Sequence, residues 1–414
     1  MVFFILFIVI IAFTIKEKAR LDRNIIHKRR KKTMDDGSIH RINNANNNNF
    51  SKQKTNSAHN NTSICQERTS AQKKKSSKKN RRLFKGAILA ESLMVFICGL
   101  RSVDVGVDTS NYYDIFTSGA SRFMELGITV LSIIGHFLGN SFQVFLFLFA
   151  LVSLLPIFYF INKRSQIVSF SLLIYLSFSN FFYPETFNTI RATAAIGLFT
   201  IAVLLVEKNR YKYAIIWFIF SCSFHISAIA AGVLVLLGHL IKNFSKYATF
   251  TIIASSILFG LVFSTGFSAY AEVISIWLST LTGDFADYYL HHFKDLEETE
   301  FNLVGVLSNM LPFSLFAIIL YDNYNAKNIY YKLLVIGVVI SNAFISIALV
   351  YRITMFLTLY LIIVLPNTYI RTHGFRRLAL NGLILFMLLW YVYKLFGSTS
   401  DSMAGTIPYT FFFE

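Results

Sequence analysis

Cysteine is scarce in this chain of 414 residues. Cys65, Cys98 and Cys222 stand too far apart for a metal knuckle, a redox pair or a disulfide framework. Soluble-enzyme signatures are missing too: there is no zinc-protease helix, no glycine-rich phosphate loop and no nucleophile elbow. Charge is thin, at 15% of residues, against 55% hydrophobic residues with 43 Phe and 21 Tyr. Soluble domains carry about 25% charged residues. This composition therefore excludes an ordinary water-soluble enzyme and describes a membrane protein.

The charge that is present falls unevenly. The formal net charge is +17, yet Lys16 to Lys85 alone holds 21 Lys and Arg against 5 Asp and Glu, which leaves the rest of the chain near neutrality. This segment, 16–85, is rich in Asn ("INNANNNNF") and in Ser and Lys ("KKKSSKKNRR"). It is too polar to bury a core and reads as a disordered cytoplasmic loop. Its charge suits a topology anchor drawn to anionic lipid, not a nucleic-acid site. The apolar run before it, residues 1–15, reads as a first transmembrane helix. A cleaved signal peptide is excluded because the basic cluster follows the run and no small-residue cleavage site is evident.

From residue 86 to 414 the chain reads as an all-α polytopic membrane domain. Apolar stretches are expected to span near 86–100, 141–161, 166–183, 190–206, 248–264, 302–321, 333–350, 353–370 and 378–396, several of them shorter than the usual ~20 residues. The segment "YKYAIIWFIFSCSFHISAIAAGVLVLLGHLIK" is either one long helix or two short ones turning at His225. With a turn, Lys242, Lys246, Lys327, Lys332, Arg371, Arg376 and Arg377 all fall inside, and only Lys294 and Arg352 fall outside. The positive-inside rule selects that arrangement. It gives about 12 crossings (range 10–13), both termini outside, and extracytoplasmic amphipathic segments within loops 101–140 and 265–301. The second loop carries an acidic cluster with His291 and His292 and reads as an interfacial helix and lid. Its spacing suits no metal, and no cofactor is expected.

The same topology gathers Arg101, Arg191, His225, Arg352 and the tail "GTIPYTFFFE" on the external face. A charge at a membrane segment costs on the order of a few kcal/mol unless paired or hydrated. Planar guanidinium groups match phosphate oxygens, so Arg101, Arg191 and Arg352 together can bind a diphosphate and stabilise charge on it as it leaves. Asp104 and Asp108 flank Gly106, and either can deprotonate a hydroxyl, with Arg101 as the partner that keeps its pKa low. His225, at a helix–helix turn, is the other base to consider. Tyr112 and Tyr113 can stack on sugar rings or belong to the aromatic belt. "ATAAIG", Ala192 to Gly197, is a small-residue face for close helix packing.

Five motifs then combine in one order: "LRSVDVGVDTSNYYDIF", "FNTIRATAAIGLFTIAVLLVEKNRYKY", "FHISAIA", "YRITMFLTLYLIIVLP" and "TIPYTFFF". In order and spacing they resemble the EpsG family of exopolysaccharide polymerases, which are similar to Wzy polymerases. The resemblance runs from about Phe84 to the C-terminus. Two features depart from it: Ala192 follows Arg191 where the family commonly has Gln, and the long basic loop has no counterpart. The resemblance implies polymerisation of undecaprenyl-diphosphate-linked oligosaccharide units at the outer face of a bacterial cytoplasmic membrane. Arg101, Arg191 and Arg352 would hold the diphosphate, Asp108, Asp104 or His225 would take the proton, and Tyr112, Tyr113 and Tyr409 would meet the sugars. Partners would be the lipid-linked donor and acceptor, membrane lipid, and the flippase and chain-length regulator of the same pathway. The competing reading is a transporter or flippase of lipid-linked glycan, which predicts charges deep within spans and on both faces.

Overall fold

The structure, a computed structural model, describes residues 2–20, 86–119, 125–178, 182–263, 303–345, 347–396 and 405–414. The expected disordered loop, from residue 21 onward, and the expected lid at 265–301 lie outside the described residues. The described residues fold almost wholly into helices and contain no named strand. In chain order these are α1 (2–20), α2 (Gly86–Gly99), α3 (Thr109–Ser118), α4 (Leu126–Phe137), α5 (Phe142–Arg164), α6 (Val168–Ser177), α7 (Ile190–Glu207) and α8 (Tyr211–Cys222). There follow α9 (Ser227–Leu240), α10 (Lys246–Phe263), α11 (Leu303–Ile319), α12 (Ile329–Ala343), α13 (Ala348–Thr358), α14 (Leu361–Arg371) and α15 (Gly374–Phe396).

Apolarity on all sides puts a helix in the centre of such a bundle. In α7, Ile190 and the whole run from Ala192 to Leu204 are buried. The small-residue face does what its sequence implies: a Cβ on Gly197 would collide with the backbone carbonyl of Ser153 on α5, so the two helices touch backbone to backbone. The Ser221 hydroxyl donates to Ala195 O at 2.7 Å and pins α8 to the same helix. α13 and α14 form a second central rod, interrupted at Leu359 and Tyr360. Over Val350–Arg371, 83% of the apolar window is buried, against 22% for α10 and for α15. Those peripheral helices turn Leu258, Val262, Leu385 and Leu389 outward, which is tolerable only against lipid.

The chain does double back at His225. Phe218 of α8 packs on Gly232 of α9, and the Tyr211 hydroxyl lies 3.4 Å from His239 Nε2. Residues equally far before and after the turn meet, as in an antiparallel hairpin and unlike a continuous helix.

Among the described residues, five helices are long and apolar enough to cross a membrane and seven shorter apolar helices span 10–17 residues, so the expected count of about 12 crossings is not confirmed. A 10-residue helix such as α6 is about 15 Å long, half of a ~30 Å hydrocarbon core. The first helix also continues past residue 15. Its Glu17 carboxylate accepts from the Ser169 N–H (2.9 Å) and hydroxyl (2.5 Å), capping α6, and Lys18 donates to the Tyr369 hydroxyl at 3.2 Å. Tertiary contacts thus extend a helix into the basic segment.

Candidate functional site

The loop from Arg101 to Asp108 is shaped by Gly106, whose φ of +91° suits a residue without a Cβ. A side chain there would also strike the carbonyl of Phe187. The loop is clasped by the tail: Arg101 and Phe411 form an antiparallel bridge, Ser102 N–H donates to Thr410 O (3.0 Å), and Gly106 N–H donates to Gly405 O (2.9 Å). Val107 N–H donates to the Asn188 side chain at 2.8 Å, which joins the loop to the segment leading into α7.

Arg101 is the foundation of this clasp. It is only 2% exposed; its Nη1 donates to Cys98 O at 2.9 Å, its Nε to the Thr109 hydroxyl at 3.3 Å, and its guanidinium lies over Phe187. The expected pairing of Arg101 with the aspartates is not what the fold builds: no carboxylate bonds to it among the described residues, and in this conformation it is closed off from any ligand. Tyr409 is likewise a tail anchor, donating to Ile97 O at 2.7 Å and packing edge-on against Phe3. Asp104 is exposed and bonded to Ser102. Tyr113 is exposed against Phe142.

The remaining residues do converge. Asp108, where α3 begins, feels the fields of Arg352 on α13 and Arg191 at the start of α7. Burial pushes its carboxyl above the usual range, and the two arginines pull it back only in part. Arg191 is paired with Glu125, Nη1 to the two carboxylate oxygens at 2.9 and 3.1 Å. Tyr112 is buried beside Arg191, and burial drives its hydroxyl up to about 12. Arg352 makes no hydrogen bond or ion pair among the described residues.

His225 is buried between the hairpin helices, with Arg191 and Arg352 near it. Burial first, then the two cations, lower its pKa to about 4, so the ring is neutral at physiological pH. Its Nδ1 lies 3.1 Å from the Ser227 N–H and accepts from it. In the neutral ring the proton is therefore on Nε2, and His225 offers a donor.

Sequence reasoning missed Glu185. It sits in the 3-10 turn Tyr183–Phe187, and from Phe182 to Asn188 it alone is half-buried where its neighbours are fully buried, so the turn presents its side chain. Oε1 accepts from the Tyr351 hydroxyl at 3.0 Å and Oε2 from the Thr189 hydroxyl at 3.4 Å. Asp108 and Lys394 lie within its field, and burial raises its pKa to about 7. The available signal was isolation: Glu185 is the single acid between Glu125 and Glu207. Glu125, the partner of Arg191, was missed as well.

One end of the helix bundle thus carries two guanidinium groups, the carboxyl groups of Asp108, Glu185 and Glu125, and a neutral imidazole donor. No group of His, Cys, Asp and Glu suited to a metal ion occurs among the described residues. The family model described as "EpsG family" matches residues 88–411, most of the chain. No curated protein sequence matches the chain, and no solved structure does.

Proposed function

The chain belongs to the EpsG family, whose membership points to an exopolysaccharide polymerase role in a membrane protein, and from that premise we propose that it joins lipid-diphosphate-linked oligosaccharide units. The observation that carries this reading is the meeting of Arg191, Arg352, Asp108 and His225 at one end of the bundle. The donor is a glycan on undecaprenyl diphosphate, and the acceptor is a hydroxyl of the next lipid-linked unit at the outer face of the cytoplasmic membrane. Attack forms the bond from acceptor oxygen to anomeric carbon. The bond from that carbon to the diphosphate breaks with its electron pair on the leaving oxygen. The acceptor proton passes to a carboxylate of the cluster and then to water.

The charge that builds on the leaving diphosphate is the quantity to be stabilised. Arg352, without a hydrogen-bond or ion-pair partner among the described residues, and Arg191, which can exchange Glu125 for phosphate, supply guanidinium groups that are already placed. His225 adds a donor from Nε2; with Nδ1 held by Ser227, the base role falls to the carboxylates.

The test is incubation of purified protein in lipid nanodiscs with undecaprenyl-diphosphate-linked repeat units. Products longer than one unit are expected. No lengthening in nanodiscs, together with movement of intact units across the bilayer of sealed proteoliposomes, would overturn the proposal in favour of a flippase.

A further inference from the structure

Asp108 lies within the field of Glu185, and the surroundings of the two carboxyl groups differ. Asp108 lies in the fields of both arginines, where a diphosphate would also be drawn. Glu185 has no arginine acting on it; around it are the hydroxyls of Tyr351 from α13 and Thr189 from the turn before α7, the carboxyl of Asp108, and the ammonium of Lys394 from α15. A base must keep its affinity for a proton while the leaving group holds the cations, so two carboxyl groups in unlike environments divide the work.

We propose that Glu185 is the catalytic residue that takes the proton of the acceptor hydroxyl, while Asp108 is a positioning residue whose charge acts on Arg191 and Arg352 until the diphosphate takes its place. This rests on the polymerase reading. The geometry supports the assignment in three ways. In the turn Tyr183–Phe187 every residue is fully buried but Glu185, which is half-buried and lies in the field of Asp108, so this side chain alone reaches from the turn toward the site. Tyr351 holds one carboxylate oxygen at 3.0 Å, whereas the second has only the longer 3.4 Å contact and keeps lone pairs for a substrate hydroxyl. Tyr351 is also the neighbour of Arg352, so one turn of α13 fixes the base and a phosphate-binding cation together. In the step, the acceptor O–H bond breaks, its proton goes to Glu185 and then to water, and the oxygen's electron pair forms the glycosidic bond.

The raised pKa of about 7 adds a pH signature. Turnover depends on ionised Glu185, so it falls as pH drops through 7.

The experiment measures initial rates of unit joining in nanodiscs between pH 5 and 9. Glu185→Gln, which preserves shape and an acceptor for Tyr351, is expected to lose ~10²–10⁴-fold in kcat with little change in KM for the donor, and to lose the acidic limb. Glu185→Asp recovers part of the rate. Asp108→Asn raises KM for the donor but keeps the limb. Tyr351→Phe removes a bond that favours the ionised form, so the limb moves to higher pH. That shift can be read even if Glu185→Gln is poorly folded, and a packing role alone would not produce it. A Glu185→Gln protein with near wild-type kcat, a limb lost in Asp108→Asn instead, or an unmoved limb in Tyr351→Phe would overturn the assignment. Wild-type protein that joins no units at any pH would overturn the polymerase reading itself.

Discussion

The two ends of the helix bundle use the same residue types for opposite purposes. At the end marked by Arg371, cations close the structure: Arg371 donates to Asp322 (3.2 Å) and Asn325 (3.1 Å), Arg376 to the carbonyls of Ile319 and Tyr321, and Arg377 to those of Tyr369 and Thr372. Arg164 pairs with Glu207, which also accepts from Tyr330. These carbonyls are the orphan acceptors of helix ends. At the other end Arg352 is left without a partner among the described residues, and Asp108 and Glu185 keep raised pKa values. Saturated polar groups hold a fold, whereas unsaturated ones at a partly exposed site are available to a ligand.

Removing one arginine from each end separates the two roles most strongly. Arg352→Ala is expected to lower turnover ~10²–10³-fold, as for a lost transition-state donor, with stability within about 0.5 kcal/mol of wild type. Loss of stability with turnover per folded molecule intact would reverse the roles assigned to the two ends.

Next in size is the clasp. Deleting residues 405–414 frees the loop that carries Asp108 while leaving both arginines in place, and a drop in turnover on the order of 10–100-fold is expected. A truncated protein as active as the full chain would show that the loop holds its shape without the tail.

Arg371→Ala sharpens the contrast from the other side. It removes two hydrogen bonds and the stacking over Tyr324, and should cost about 1–3 kcal/mol in denaturant or thermal unfolding. Turnover of the folded fraction should be unchanged, measured on the same preparations.

The smallest effect is a pH dependence of stability. Glu185 titrates near 7 in the folded chain and near 4.5 as a free side chain, so its ionised form disfavours folding above pH 7, and this penalty disappears as pH falls toward 4.5. His225 has the opposite sign: lowered from 6.5 to about 4, it removes stability as pH drops through that interval. Glu185→Gln should therefore exceed wild type in melting temperature most clearly above pH 7, with the gap closing below about 4.5. A gap that ignores pH would mean that Glu185 does not titrate there.

Much of the membrane architecture was legible in single segments. The hairpin at His225 followed from the placement of lysines and arginines, and the close approach of α5 and α7 from the small residues around Gly197. The site was legible in part. Arg191, Arg352, Asp108 and His225 announced themselves as polar residues beside apolar runs, but so did Arg101, and no local pattern shows that its guanidinium bends under its own loop to Cys98 and Thr109. Glu185 was invisible for the converse reason, since its partner Tyr351 lies 166 residues away.

The residues read in order were enough to mark a membrane chain resembling the EpsG family, to locate the reversal at His225, and to show which charges lie near helix ends. Those properties are set by transfer of each segment from water to lipid, which each segment undergoes on its own. Which charges meet, which are sealed in the clasp and which stay unpaired among the described residues follows from the packed fold. Pairing depends on distances between side chains far apart along the chain, and packing alone fixes those.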